Sequence, residues 1–227
     1  MPAGFRILPS PPRADAALLA RLAALPVSNV SDNLSRGTGA GLEPMHRGGV
    51  MVGTAFTVKT RPGDNLMVHK AIDMAAPGDV IVVDAGGATE NAIIGELMAS
   101  WAAKRGIAGL VIDGAIRDSE ALAAAGFPVY AAGVTHRGPW KDGPGEINVA
   151  VSVGGMVVRP GDLVVGDADG VLAIAPEDAG RVIAAAEAQH KKEQASLAAI
   201  AAGTWDRKWV DEALRARGCE PTTGGKP

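Results

Sequence analysis

Apolar positions along this chain change period several times, and each change marks an element. Leu18, Leu19, Leu22 and Leu25 recur at helical spacing behind Asp15, which predicts a capped helix over 15–25 stopped by Pro26. A short helix is predicted around 30–34. Residues 51–60 are rich in Val, Thr and Phe and read as a strand, followed by a turn at Arg61-Pro62-Gly63-Asp64 and a helix over 66–75. Pro-Gly-Asp occurs three times, at 62–64, 77–79 and 160–162. Proline presets the first turn position and glycine supplies the positive φ of the second, so each copy is a turn. Two of them run straight into buried strands, at 80–84 and 163–166.

The middle of the chain alternates. A strand over 79–84 leads through Gly86-Gly87 to a helix over 92–105, then a strand over 107–112, a helix over 118–125 and a strand over 128–132. That order predicts βαβ units with at least partly parallel pairing. From 147 to 175, short Val-rich strands are split by Gly-Gly and Asp-Gly turns, which predicts a β-rich lobe. Two helices follow, about 177–200 and 206–217. The first carries a polar face with His190, Lys191, Lys192 and Glu193. No fixed period marks a repeat protein. The resulting plan is an N-terminal arm over 1–13, a single α/β domain over 14–203, and a C-terminal helix with a frayed tail over 204–227.

Composition narrows this picture. The 227 residues are 47% apolar but only 4% aromatic, so the core is built from Ala, Val, Ile, Leu and Met. A net charge of -3 gives no general attraction to nucleic acid. A single cysteine, Cys219, excludes an internal disulfide framework and suits a reducing cytoplasm. No apolar run reaches the roughly 18–20 residues needed to span a bilayer. The first sixteen residues lack the apolar core of a signal peptide. The expectation is a soluble cytoplasmic protein with no membrane or nucleic-acid partner.

Candidate chemistry gathers in GELMASWAAKRGIAGLVIDGAIRD at 95–118. Asp118 has two readings: an N-cap for the helix that starts at Ser119, or a ligand for Mg²⁺ or Mn²⁺, which favour carboxylate oxygens and water. Arg117 beside it suits a carboxylate or enolate oxygen. Glu96 either complements the helix dipole or serves a site at the same helix start, where the amides of Gly95, Glu96, Leu97 and Met98 can hold an anion. His69 lies on a largely apolar helix, where packing competes with a site role. His46, His136 and His190 show no zinc spacing. GDADG at 166–170 reads as a tight turn rather than a calcium loop, and GTGAG at 37–41 has no flanking strand and helix to make it a dinucleotide signal. No G-x-S-x-G elbow is present.

Several segments together resemble the class II pyruvate aldolases that act on 4-hydroxy-4-methyl-2-oxoglutarate and 4-carboxy-4-hydroxy-2-oxoadipate. The regulator of ribonuclease activity A shares that fold. The similarity covers about 25–200. It rests on PGDN-x-M-x-H at 62–69, PGDVIVV at 77–83, the 95–118 segment, GFPVYA at 126–131, VRPGDLVVGDADGV at 158–171 and Glu193. Its most specific part is Glu96, twenty residues, then Arg117-Asp118. The regulator carries an amide at the Glu96 position. Where the aromatic-degradation aldolases have Thr-x-His-Glu, this chain has Asn29-Val30-Ser31-Asp32-Asn33, so the resemblance fixes the pyruvate half of the site and leaves the distal half of the substrate open.

The resemblance implies an αββα sandwich of the swivelling-domain type with a central mixed sheet lobe and C-terminal helices, assembled as homotrimers or homohexamers. It implies that Asp118 ligates Mg²⁺ or Mn²⁺ directly, while Glu96, and Glu193 from a neighbouring subunit, hold the metal's waters. Arg117 would contact the keto or enolate oxygen, and Gly95, Glu96, Leu97 and Met98 the pyruvate part, with His69 nearby. The implied activity is metal-dependent retro-aldol cleavage of a 4-hydroxy-2-oxo acid to pyruvate and a second carbonyl compound, with oxaloacetate decarboxylation as a side activity. The alternatives are a non-catalytic regulator that binds a partner such as a ribonuclease, or a metal-dependent lyase for another oxo acid.

Overall fold

The computed structural model describes residues 4–34 and 41–219. Its first half runs β1 (Phe5–Ile7), α1 (Ala16–Leu22), α2 (Val27–Asp32), β2 (Glu43–Pro44), β3 (Met51–Thr60), α3 (Leu66–Met74), β4 (Asp79–Ile94) and α4 (Glu96–Lys104). The second half runs β5 (Gly109–Ile116), α5 (Ser119–Ala125), β6 (Val129–Val134), β7 (Gly145–Ile147), β8 (Val151–Val153), β9 (Met156–Val158), β10 (Leu163–Asp167), β11 (Gly170–Ile174), α6 (Pro176–Ala201) and α7 (Lys208–Arg215).

The alternation seen in the sequence becomes a parallel stack of β3, β4, β5 and β6, with α3, α4 and α5 as the connections. Beyond β3 the sheet forks. Residues 51–54 pair antiparallel with β10, and residues 58–60 pair antiparallel with β7. β11 extends the first branch, β1 pairs in parallel with β7 on the second, and β2 closes the far edge against β6. The chain therefore forms the expected α/β fold with a central mixed sheet and C-terminal helices.

Alternate strand residues feed different cores, as a period of two requires. Ile81, Val83, Leu110 and Ile112 pack against α3, α4 and α5. Val80, Val82 and Val111 pack on the opposite face beneath the β8–β9 hairpin. A third cluster joins α1, α2 and the first turns of α6 to β10 and β11 through Leu22, Val30, Val165 and Val182. All three Pro-Gly-Asp segments turn as expected, with φ of 73°, 84° and 93° at Gly63, Gly78 and Gly161. Their aspartates are buried and accept nearby backbone N–H groups, from Leu66, Ala76 and Arg159.

Several expectations are corrected. Residues 92–94 do not open a helix: Ala92 and Ile94 pair with Ala115 and Ile116, so β4 runs to Ile94 with bulged register after Asp84, and α4 starts only at Glu96. An apolar triplet suits either element, and pairing with the end of β5 decides. The helix placed at 30–34 begins earlier, because Pro26 takes the N-cap position of α2; α1 ends at Leu22 rather than Leu25. Within the N-terminal arm, Phe5, Arg6 and Ile7 form a paired strand.

Contacts divide the chain into one unit up to Glu187 and another from Ala188 onward, so the division falls within α6 and upstream of the expected 203 boundary. In the second unit the Arg207 guanidinium lies 4.6 Å from the Trp205 ring and 5.9 Å from the Trp209 ring. Among the described residues, no helix is long and apolar enough to cross a membrane. The tail from residue 220, like most of the GTGAG segment, lies outside the described residues.

Candidate active site

Ligands in open α/β sheets bind outside the carboxyl ends of parallel strands. Here β4 ends at Ile94 and β5 at Ile116, side by side, so Gly95-Glu96 and Arg117-Asp118 emerge together. Asp118 has φ 57° and ψ 37°, a left-handed conformation that aspartate tolerates better than most side chains. That geometry settles one of its two readings. Asp118 makes no side-chain cap to its own helix α5. Its Oδ2 instead accepts the backbone N–H of Glu96 at 3.0 Å, capping α4 from twenty-two residues away.

Gly95 makes this approach possible. Its backbone is extended, so conformation does not demand glycine; space does. A Cβ there would overlap Asp118 Oδ2 and come within 3.0 Å of Arg117 Cγ. Arg117 Nε stands 3.7 Å from Asp118 Oδ2, and both side chains are a little over two-fifths exposed at the mouth of the cleft. With the Glu96 N–H engaged, the amides of Leu97 and Met98 remain in the first turn of α4 without intrahelical partners, a ready anion cradle.

Two hollows meet at Glu96, Arg117 and Asp118. The narrower, about 410 Å³, is walled by Asn65, His69, Gly95, Met98 and Lys141. Asn65 is 2% exposed; its Nδ2 donates to the Ile93 carbonyl at 2.9 Å and meets Met98 Sδ at 3.2 Å, while Oδ1 is buried with no protein partner. Partial burial, then Lys141, hold the His69 imidazole below its ordinary pKa against the pull of Asp73, so it is neutral at pH 7. The wider hollow, about 760 Å³, runs along α5 past Ser119, Glu120, Ala124, Val134, Thr135 and His136.

Lys141 reaches the site because of Asp64. This fully buried carboxylate accepts from the N–H groups of Leu66, Asp142 and Gly143 and from Arg61. Burial alone would raise its pKa; the three amides and Arg61 outweigh that and lower it. The loop is pinned twice more, by Trp140 N donating to Gly63 O at 2.8 Å and Asn65 N donating to Trp140 O at 3.0 Å. The PGDN motif thus holds the loop that presents Lys141, a residue the sequence reading missed.

The sequence-derived residues divide accordingly. Glu96, Arg117, Asp118, Gly95, Leu97, Met98 and His69 border one cleft. Glu193 belongs to the second unit, where Gln189 Nε2 donates to its Oε1 at 3.0 Å. Missed were Asn65, Lys141 and, in the wider hollow, His136. Only Asn65 left a signal, as the last residue of PGDN; Lys141 and His136 come from connections with no period to read. His46 lies elsewhere, edge-on to Tyr130 and bonded to Val129, and Asp167 and Gly170 close a β10–β11 turn as expected.

Among the described residues no three His, Cys, Asp or Glu side chains gather into a metal cage. Two carboxylates at an open mouth do not fit zinc. They fit Mg²⁺ or Mn²⁺, which keep several waters and take one or two carboxylates.

The α/β sheet carries an acid, an arginine and a helix N-terminus at one carboxyl edge. The "RraA-like: Aldolase/RraA" family description matches residues 27–173, and the chain belongs to that family. It is 43% identical over 174 residues, covering 77% of this chain and 82% of the relative, to a Halalkalibacterium halodurans protein named "Putative 4-hydroxy-4-methyl-2-oxoglutarate aldolase". An uncharacterized protein from Pseudomonas syringae superposes with a TM-score of 0.77 at 26% identity over 85% of this chain and 96% of its own. The RNA-processing inhibitor RraA from Thermus thermophilis superposes with a TM-score of 0.60 at 30% identity over 66% of this chain and 92% of its own.

Proposed function

We propose that this protein is a divalent-metal-dependent pyruvate aldolase that cleaves a 4-hydroxy-2-oxo acid to pyruvate and a second carbonyl compound. The observation that carries the reading is the convergence of Glu96, Arg117, Asp118 and the α4 amides on one cleft. Asp118 would hold Mg²⁺ or Mn²⁺, with Glu96, and Glu193 of a neighbouring subunit, holding its waters. When bound, the ion supplies Lewis-acid polarisation of the 2-keto group.

The chain's own residues do the rest. The Leu97 and Met98 amides and the Lys141 ammonium bind the substrate carboxylate, and His69, being neutral, adds a hydrogen bond without charge. A water held by Glu96 takes the proton of the 4-hydroxyl and passes one of its own to the Glu96 carboxylate. The O–H pair becomes the new C4 carbonyl, the C3–C4 bond breaks, and its electrons form the pyruvate enolate. Arg117 donates to the C2 oxygen, where charge grows in the transition state. The proton held by Glu96 returns through the same water to C3, which releases pyruvate and restores the carboxylate. Oxaloacetate decarboxylation passes through the same enolate and is the expected side activity.

The test is pyruvate release from a panel of hydroxy-oxo acids with Mg²⁺, Mn²⁺ or EDTA. Metal-dependent release lost in Asp118→Ala supports the reading; no release from any acid sinks it. The likeness to the Thermus RNA-processing inhibitor favours one second reading, a regulator that binds a ribonuclease. A wild type inert toward every oxo acid but inhibitory to a ribonuclease would select it. As a cytoplasmic homo-oligomer the protein suits either role.

A further inference from the structure

β4 does not run straight to the site. Its register with β5 passes from Ala88 opposite Gly114 to Ala92 opposite Ala115, so Thr89, Glu90 and Asn91 have no counterpart on β5. Bulges of this kind re-aim side chains beside active sites. Here the re-aimed side chain is Asn91. Its Nδ2 donates to the Gly138 carbonyl at 2.6 Å, and the next residue repeats the link, Ala92 N donating to Arg137 O at 2.9 Å. Gly63 backs Asn91 from the other side: a Cβ on that glycine would come within 3.0 Å of the Asn91 Cβ. Gly138 in turn lies against Arg117. A Cβ built on Gly138 would meet Arg117 Nη1, 3.5 Å away.

We propose that Asn91 is a positioning residue for Arg117, acting through the Gly138 backbone. This rests on the retro-aldol reading above and supplies what holds its arginine in place. The guanidinium has little else to fix it: Nε stands 3.7 Å from Asp118 Oδ2, beyond hydrogen-bond reach, and the side chain is partly exposed. A cation so placed can swing, and a swung guanidinium loses the C2 oxygen. The backbone at Gly138 walls off that swing, and Asn91 and Ala92 tether the wall. The Ala92 tether is backbone; the Asn91 tether is a side chain, so one substitution removes it. Lys141 lies three residues further on but has its own anchors, the Trp140 N–H on Gly63 O and the Asp64 carboxylate on the amides of Asp142 and Gly143. Loss of Asn91 therefore reaches Arg117 rather than Lys141. Arg117 acts where charge grows in the transition state, so its displacement lowers kcat and leaves KM in place.

Exchange of the C3 protons of pyruvate in D₂O, followed by NMR on Mg²⁺-loaded protein, reads enolate formation whatever the leaving half. Asn91→Ala, and the bulkier Asn91→Leu, which also lacks the donor, should each lower the exchange kcat by about tenfold to a hundredfold with KM within about twofold. Oxalate carries charge where the enolate oxygen develops, and its binding, measured by calorimetry, needs no turnover. Asn91→Ala should weaken oxalate binding by about tenfold in the wild-type background and by less than about twofold in an Arg117→Ala background, because residues that act through one another do not add. A loss of equal size in both backgrounds, a rise in KM at constant kcat, or wild-type exchange in both Asn91 variants overturns this inference and leaves the aldolase reading intact. A wild type that neither exchanges pyruvate nor binds oxalate overturns that reading and the inference with it.

Discussion

On the proposed reading Asp118 has two tasks that ordinary substitutions separate. Its Oδ2 caps α4, and its charge is what a metal needs. Asp118→Asn keeps a side-chain oxygen to cap α4 and a residue that tolerates the left-handed backbone. It should therefore melt close to wild type while losing at least about 10²-fold in metal-dependent turnover. Asp118→Ala should lose both, costing about 0.5–2 kcal/mol as the cap goes. Unaltered turnover in the asparagine variant would reduce Asp118 to a cap. Gly95→Ala tests the same contact from the other side. The new Cβ displaces the Asp118 carboxylate rather than backbone, so activity should collapse in a chain that still folds. Glu96→Gln should cut turnover by about 10²–10⁴-fold, the range for a positioned acid–base group. Its stability should shift by no more than the 0.3–1 kcal/mol or so of a first-turn acid. Wild-type rates would leave Glu96 a dipole residue.

At the scale of elements, the turn at 62–65 and the loop at 139–143 stand or fall together. Asp64 has a folded-state pKa below its ordinary 3.8. Its contribution to stability is therefore complete above that value and is lost as pH falls through the lower folded value. Thermal melts from neutral pH down to about pH 2 should show Asp64→Asn least stable relative to wild type at neutral pH, with the two curves converging in acid. A constant gap across that range would mean the charge is irrelevant. Elements of this kind also show what a sequence reveals. The βαβ alternation was legible because each strand buries residues on both faces and each helix keeps its own period. The start of α4 was not, since Ala92, Ile93 and Ile94 suit helix or strand until β5 lies beside them. β1, β2 and β7 hold no more than three residues each and exist only through their partners. The site followed the same division. Glu96, Arg117 and Asp118 were legible from spacing, whereas the Asp118–Glu96 bond and the placing of Lys141 depend on contacts between distant segments.

At the scale of the whole molecule, the proposed role of Glu193 makes a claim about assembly. If it serves a neighbour, subunits join head to tail and the ring must close. Asp118→Ala and Glu193→Ala should each be inactive alone. Mixed and reassembled, they should regain about a quarter of wild-type activity, the share of sites that draw an intact residue from each chain. Sedimentation should show one closed oligomer throughout. No recovery on mixing, or a fully active monomer, would confine the site to a single chain.

The bond that holds Asp118 in place ends on a peptide N–H, not on the side chain of Glu96. That bond therefore survives any residue 96 that keeps its backbone N–H. A chain of this architecture can exchange its acid for a neutral side chain in one step and keep its scaffold, its cleft and its outer surface. If Glu96 carries the proposed chemistry, chemistry and shape are separately heritable, and descendants of one ancestor could lose turnover without passing through an unfolded intermediate.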